Sequence, residues 1–390
     1  MKIGLSAVHA VLWSAIGAAA LAWPGPGWAT PVNPTRDSEV VEVLPSGGTG
    51  AEERRLRRLW VNQPTDAVTA VSLARRYLAR AREQGDPRYA GQALAVLQPW
   101  PDARSAPDDV LLLQATLQQY LHEFDVSAGH LEMLVARRPD HAQAWLTLAT
   151  VRRVQGRYAE SDAACRGLQA AGVRLESLAC LAENESLRGN TDAARDSLQQ
   201  MLAAPRLSPS TRSWLLTTLA ELEQRAGRPD IAETTFKLAM AAEAGGYTLL
   251  TYADFLMDMN RHAEALALLT PQPRTDAVLL RLAIAGARLK SPGADKDARQ
   301  VRDAMAQANL RPDARGTHAR EQAMFALWVD AKPAAALALA RENVRKQREP
   351  LDLLVLAHAA RAAGDEKAIR EADQIRKEMG LHDERLDALL

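Results

Sequence analysis

Apolar residues recur along most of this chain at the spacing of a helix face, in runs separated by short polar breaks. In the run before Gly156, positions i, i+3, i+4 and i+7 are occupied by Trp145, Leu148, Ala149 and Arg152. This spacing places the four side chains on one face of an α-helix. A second run with the same period begins just after the glycine, at Tyr158. The pattern therefore predicts pairs of helices joined by tight turns.

The breaks within these pairs are regularly spaced. They recur every 33 or 34 residues, with two longer intervals of 38, at His122, Gly156, Gly189, Gly227, Asn260, Gly293, Ala331 and Gly364. Glycine, or asparagine in one copy, suits the left-handed conformation that ends a helix. An earlier copy has its break at Gly85-Asp86-Pro87, which gives nine candidate hairpins between residues 66 and 380. Such a fixed period indicates a helical repeat array.

Small residues recur at two fixed distances from the breaks. Alanine lies seven residues before the break at positions 149, 182, 220 and 253, and five residues after it at positions 194, 232, 265, 298 and 336. A single alanine is ordinary in a helix. The same two offsets in successive copies predict close contacts between helices, because the distance between packed helices depends on the side chains at the contact.

These residues resemble the tetratricopeptide repeat, a helix-turn-helix unit of about 34 residues. The copy from Trp145 to Leu168 carries the resemblance best, with its turn at Gly156-Arg157-Tyr158. The resemblance covers most of residues 105–270 and is weaker toward both ends, where Arg302 replaces an apolar residue. It implies an all-α fold, a right-handed α-solenoid of stacked antiparallel helix pairs over residues 51–380. Residues 381–390 are then expected to be a C-terminal tail.

Residues 1–29 have the pattern of a secretory signal peptide. Lys2 supplies positive charge, residues 3–23 carry no charged side chain, and Gly27-Trp28-Ala29 places small residues at a cleavage site, with Ala20-Leu21-Ala22 as a second candidate. The alternative is an uncleaved anchor, since about 20 apolar residues can span a bilayer. Residues 30–50 have the composition of a flexible linker. We expect a periplasmic or secreted protein, or one anchored in the inner membrane if the leader is retained.

In the tetratricopeptide family, the first helix of each pair lines a concave groove. Carried onto this chain, the resemblance implies a ligand-binding surface formed by Gln143, Thr147, Thr150, Arg153, Glu183, Trp214, Thr218, Glu221, Gln224, Tyr247, Thr251 and Asp254. The two aromatic residues either anchor a peptide or pack where inter-repeat loops meet the helices. The three acidic residues occupy equivalent positions in consecutive repeats. They form either an acidic stripe that favours a basic ligand or an ordinary solvated face.

Cys165 and Cys180 are the only two cysteines, and they flank a turn near Ala171-Gly172-Val173. On antiparallel helices such positions lie at similar height, so in an exported protein the pair is a candidate disulfide. The alternative is that Cys180 faces the groove and the two side chains diverge. A bridge would close a 15-residue loop and contribute up to about 3 kcal/mol to stability.

The composition and the motifs limit the classes of function. Lys plus Arg equals Asp plus Glu at 48 each, so no single-sign field favours nucleic acid as a partner. His122-Glu123 and His130 lack the spacing of two metal ligands on one helix face, and Gly47-Gly48-Thr49-Gly50 lacks the lysine of a phosphate-binding loop. We therefore predict no catalytic residue, no metal site and no cofactor.

The resemblance and the leader together predict an exported, non-enzymatic scaffold or adaptor that binds a protein or peptide partner in its groove. Nucleic acid is not an expected partner, and membrane contact is expected only if the N-terminal segment is uncleaved. A second hypothesis is a structural accessory of envelope polysaccharide or outer-membrane assembly machinery. A third is an enzyme that acts on glycans.

Overall fold

A computed structural model describes residues 49–84, 88–309 and 318–390, and within these ranges all regular structure is helical. The helices are α1 Thr49–Asn62, α2 Ala67–Gln84, α3 Arg88–Val96, α4 Asp108–Tyr120, α5 Phe124–Arg137, α6 Ala142–Val154, α7 Tyr158–Ala170, α8 Arg174–Leu187, α9 Thr191–Leu202, α10 Pro209–Arg225, α11 Pro229–Ala242, α12 Gly246–Asp258, α13 His262–Leu269, α14 Asp276–Leu289, α15 Ala294–Asn309, α16 Ala319–Trp328, α17 Pro333–Asn343, α18 Pro350–Ala363, α19 Glu366–Met379 and α20 Glu384–Asp387. Within the same ranges, no helix combines the length and apolarity needed to cross a bilayer.

Two of the predicted N-terminal segments fall largely outside these ranges. The signal peptide at residues 1–29 lies wholly outside the described residues, as does most of the linker at 30–50. Helix α1 begins at Thr49, so the last two residues assigned to the linker are helical instead. Within α1, Leu56 is buried against the following helices, while Arg80 of α2 forms an ion pair with Glu53. The helix is therefore the first layer of the packed array.

The helices from α2 to α19 pack as consecutive hairpins, from α2 with α3 to α18 with α19. Over the described ranges this gives nine hairpins, and each also contacts the next along the chain. A single hairpin cannot bury its apolar face alone, whereas stacked neighbours share one continuous core. The predicted all-α solenoid of stacked helix pairs is confirmed.

The turn of each hairpin from α4 onward contains a residue in the left-handed region. The backbone φ angle is positive at all eight break positions predicted from the sequence, from 51° at Ala331 to 92° at Gly293. Glycine takes this conformation without steric cost, while other residues pay about 1–2 kcal/mol. The earlier predicted break, at residues 85–87, lies outside the described residues.

The repeated alanines lie where the helices approach one another. Ala149, Ala220 and Ala232 have no exposed surface, and the other members of both sets are also buried. The short distance lets hydroxyl groups reach the backbone of the previous hairpin or helix. Ser161 Oγ donates to the Ala149 carbonyl and Ser177 Oγ to the Cys165 carbonyl, each at 2.8 Å. The small residues thus set the helix spacing, as predicted.

The C-terminal helices pack against the turns of the middle hairpins. Tyr158 and Leu187, from α7 and α8, are buried in the same apolar cluster as residues of α18, α19 and α20. Two backbone hydrogen bonds join these distant segments: the N–H of Arg348 donates to the Val154 carbonyl at 2.7 Å, and that of His382 to the Leu187 carbonyl at 2.9 Å. The C-terminal helices are therefore held against the helix ends and turns of the α6–α7 and α8–α9 hairpins.

Residues 381–390, expected from the sequence to be a C-terminal tail, are packed against the helical array. Leu381, Asp383 and Leu386 are almost completely buried, and α20 contributes to the apolar cluster. The guanidinium of Arg385 reaches Asp258 at the end of α12, with 2.9 Å between Nη1 and Oδ2. A helix of four residues is too short to show a period in the sequence, so only the distant contacts reveal that this segment is packed.

Candidate functional site

The first helices of four hairpins surround one cavity of about 420 Å³, here called the groove cavity. Its walls come from α6, α8, α10 and α12, and one residue of the α17–α18 connection, Glu349, lies at its edge. The structure places seven of the predicted groove residues around it: Thr150, Arg153, Glu183, Trp214, Thr218, Glu221 and Tyr247. Stacking explains the convergence, because equivalent positions of successive hairpins face the same side of the array.

The remaining predicted groove residues lie elsewhere or are engaged in the fold. Thr147 is buried, and its hydroxyl donates to the backbone carbonyl of Gln143 at 2.8 Å. Gln143 itself lines a separate depression beside α2 and α4. Gln224 donates to Asp258, and the Thr251 hydroxyl donates to the backbone of Tyr247. The repeat register assigned these residues to the same helix face as the cavity residues, but different neighbouring groups surround them in the structure.

Ion pairs interrupt the acidic stripe considered from the sequence. Asp254 forms a two-point pair with the guanidinium of Arg281 on α14, and it lines a different cavity. Glu183 pairs with Arg153 at 2.8 Å. Because both carboxylates are compensated by arginines, Glu221 is the member of the stripe that keeps an unneutralised carboxyl group within the described residues.

Glu221 lies in an unusual electrostatic environment. Glu221 is half-buried, and desolvation among the residues of the groove cavity raises the pKa of its carboxyl group to about 7, while Arg225 opposes this effect and the negative charge of Glu183 adds to it. The Tyr247 hydroxyl donates to Glu221 Oε1 at 2.8 Å. The same surroundings raise the pKa of the Tyr247 phenol well above its ordinary value. Glu221 therefore changes charge near neutral pH.

The two aromatic residues differ in exposure. Tyr247 is 61% exposed, although its hydroxyl is tied to Glu221, and Trp214 is half-buried beside it in the cavity wall. The hydrogen bond to Glu221 holds the Tyr247 ring in place, and the ring remains accessible from solvent.

Sequence reasoning missed Glu349, which lies more than 100 residues further along the chain than most of the cavity residues. It caps the first turn of α18 in a capping box with Asp352. Arg320 of α16 binds both carboxylates, and Gln347 Nε2 donates to Glu349 at 2.8 Å. The side chain of Asp352 is fully buried, so this cluster fixes Glu349 firmly in place. The capping-box spacing was visible in the sequence, but its place beside the groove was not.

The cysteines form a disulfide in the structure. Cys165 of α7 and Cys180 of α8 are both buried, and their Cα atoms are 6.0 Å apart. Cys180 belongs to the core shared by the two hairpins, so it does not face the groove as the repeat alignment suggested. The bridge joins the second helix of one hairpin to the first helix of the next, within the apolar core.

No family model matches this chain, and no curated protein matches it. Among solved structures, a tetratricopeptide repeat protein from Parabacteroides merdae is similar at 14% identity and a TM-score of 0.49, over 60% of this chain and 91% of that one. A Rap protein in complex with competence and sporulation factor has 10% identity and a TM-score of 0.49, over 85% and 92%. PilF of Pseudomonas aeruginosa has 16% identity and a TM-score of 0.36, over 52% and 93%. The hairpin period, the left-handed turns and the buried alanines show that the described residues form an all-α helical-repeat solenoid, whose hairpins resemble the tetratricopeptide repeat.

Proposed function

We propose that this protein is an exported, non-enzymatic scaffold whose groove cavity binds a positively charged segment of a partner protein. The observation that carries the proposal is an acidic, aromatic-lined cavity on the inner wall of the solenoid. Its volume of about 420 Å³ falls within the range of ligand pockets, about 300–1,000 Å³. One or two long side chains of a peptide fit a space of this size.

The charge of the cavity favours a cation. Glu183 and Arg153 compensate one another, and Arg320 is shared between Glu349 and the buried Asp352. Glu221 and the exposed Glu243 at the rim then leave an excess of negative charge once Glu221 is ionised. Complementary charge speeds association and disfavours acidic partners.

The aromatic walls suit lysine or arginine side chains. A cation placed over the face of Trp214 or Tyr247 gains about 0.5–2 kcal/mol, depending on how far it is desolvated. The alkyl stem of the same side chain can lie along the ring while its charge reaches Glu221. Aromatic residues in such pockets commonly dominate the binding energy of an interface.

Export is part of the proposal and rests on different observations. The leader at residues 1–29 has the pattern of a signal peptide, and the disulfide between Cys165 and Cys180 suits an oxidising compartment. Sequencing the N-terminus of the protein purified from cells tests this part. A chain beginning at Thr30 supports export with cleavage, whereas an intact leader indicates an anchored form.

Site-specific photo-crosslinking in living cells tests the groove. A photoreactive p-benzoylphenylalanine placed at Ser210, an exposed residue at the rim of the cavity, should capture a partner peptide rich in Lys and Arg. The matched control places the same group at Val126, an exposed residue of α5 that does not line the groove cavity. Mass spectrometry of the adducts identifies the captured segment.

Charge reversal in the groove supplies the decisive comparison. Glu221→Lys should abolish the Ser210 adduct, while Glu176→Lys, on a half-buried glutamate of α8, should leave it unchanged. Trp214→Ala combined with Tyr247→Ala should also remove it. An adduct that persists in both groove variants, or a captured segment that is acidic, would overturn the proposal.

A further inference from the structure

A second cavity, here called the C-terminal cavity, lies where the last helix meets the middle of the solenoid. It has a volume of about 350 Å³ and is bounded by α12, α14, α16, α18 and the segment that contains α20. Most of its wall is apolar, with Met257, Ile284, Met324, Trp328, Leu354 and Leu389 as the main contributors. Three methionines line it, and unbranched, polarizable side chains adapt readily to a flexible apolar ligand.

The carboxylates that line this cavity form ion pairs with arginines. Asp254 pairs with Arg281 at 2.6 Å, whereas Arg385 is shared between Asp258, at 2.9 Å, and the buried Asp383. Arg288, on the last turn of α14, also lines the cavity, and within the described residues it has neither an ion pair nor a hydrogen bond. The cavity therefore combines an apolar interior with one exposed guanidinium, that of Arg288, which has no ion-pair partner among the described residues.

Two histidines complete the polar side of the cavity. The Nδ1 atom of His262, at the start of α13, is buried and has no hydrogen-bond partner. His358 of α18 stacks edge-on against Trp328, with ring centroids 6.0 Å apart. Burial and the charge of Arg288 lower the pKa of both imidazoles. A neutral imidazole can donate one hydrogen bond, and an unpaired buried nitrogen is costly unless a ligand or water satisfies it.

We propose that the C-terminal cavity binds an aliphatic carboxylate, with the acyl chain among the methionines and leucines and the carboxylate on Arg288. The volume of the cavity lies within the range of small-molecule sites, about 300–1,000 Å³. An arginine binds a carboxylate through two parallel hydrogen bonds, which a neutral or cationic head group cannot accept in the same way. This site is separate from the groove cavity and does not depend on the function proposed for it.

Calorimetric titration of the purified protein tests the site with three ten-carbon probes. Decanoate should bind at one site per chain. Decanol should bind at least about tenfold more weakly, because it lacks a charge-assisted hydrogen bond that contributes about 1.5–3 kcal/mol. Decyltrimethylammonium should bind more weakly still. Arg288→Gln should weaken decanoate about tenfold or more and leave decanol unchanged. The matched control is Arg299→Gln, on an exposed arginine of α15 outside the cavity.

A variant at the rim separates occupancy of the cavity from loose surface binding. Met259 lines the cavity and is 42% exposed, so Met259→Trp fills the entrance without disturbing the core. It should weaken decanoate and decanol alike. No binding of decanoate, equal binding of decanoate and decyltrimethylammonium, or unchanged binding in Arg288→Gln would overturn the proposal. Binding to phosphatidylglycerol vesicles without binding to monomeric decanoate would also overturn it, in favour of a membrane surface.

Discussion

The packing of the C-terminal segment against a hairpin turn can be isolated with two matched glycine substitutions. Gly189 and Gly172 have almost the same backbone, with φ of 88° and 89°. A Cβ atom at Gly189 would lie 2.9 Å from Cγ of His382, whereas at Gly172 it would meet nothing within 4 Å. Alanine pays about 1–2 kcal/mol for the left-handed conformation at both sites, so the difference between the two variants reports the contact with His382.

The extra loss of stability in Gly189→Ala depends on how His382 makes room for the new Cβ atom. Cγ of His382 can move only through a change of the χ1 rotamer or a shift of the backbone, whose N–H donates to the Leu187 carbonyl. Losing that hydrogen bond costs about 0.5–1.5 kcal/mol. We expect Gly172→Ala to lower the free energy of unfolding by about 1–2 kcal/mol and Gly189→Ala by about 1 kcal/mol more.

Urea denaturation followed by circular dichroism measures both losses, and a double-mutant cycle tests their cause. In a His382→Ala background the side chain that blocks the new Cβ is gone, so the excess loss of Gly189→Ala should shrink toward zero. Hydrogen exchange at the His382 amide should also become faster in Gly189→Ala alone. Equal losses for the two glycine variants, or an excess that survives in the His382→Ala background, would refute the reasoning.

Three further predictions concern the stability of the fold. The non-reduced protein should have lost two hydrogens to the bridge, and replacing Cys165 and Cys180 by alanine should cost up to about 3 kcal/mol of stability; free thiols in the non-reduced sample would contradict this. Because the folded-state pKa of Glu221 is about 7, above its ordinary 4.5, its protonation stabilises the fold most below pH 4.5, and this contribution is lost as the pH rises through 7. The melting temperature of Glu221→Gln, measured relative to that of the wild type, should therefore be higher at pH 8 than at pH 5. An equal difference from the wild type at both pH values would argue against the raised pKa. Glu223 is buried and paired with Arg195, so Glu223→Gln should lower stability by about 3–5 kcal/mol in a denaturation experiment; a loss below about 1 kcal/mol would show that the pair is not essential.

The groove residues show how far repeat alignment reaches. Thr150, Glu183 and Tyr247 were predicted from their register in the repeat, and they line one cavity because stacking carries equivalent positions to the same side. The same alignment assigned Thr147 to the groove, but its hydroxyl is buried in a bond to its own helix. A register assigns a position to a helix face, whereas accessibility depends on which neighbouring helix covers that face.

Neighbouring helices also explain why Asp254 does not join an acidic stripe. Its position in the repeat suggested an acidic stripe with Glu183 and Glu221, yet Arg281 of the following hairpin neutralises it. An ion pair between hairpins depends on the direction of two long side chains, which a one-dimensional pattern does not contain. The charge of the groove was therefore settled by neighbours that the motif leaves unspecified.

The sequence by itself determined the helices, their pairing and the turns between them, because helix period, glycine placement and small-residue spacing act over a few residues. It did not determine that the end of the chain returns to the middle of the solenoid. The contact of His382 with Leu187, across almost 200 residues, depends on small rotations between hairpins that add up along the array. Both cavities owe their final walls, Glu349 in one and α20 in the other, to that accumulated rotation.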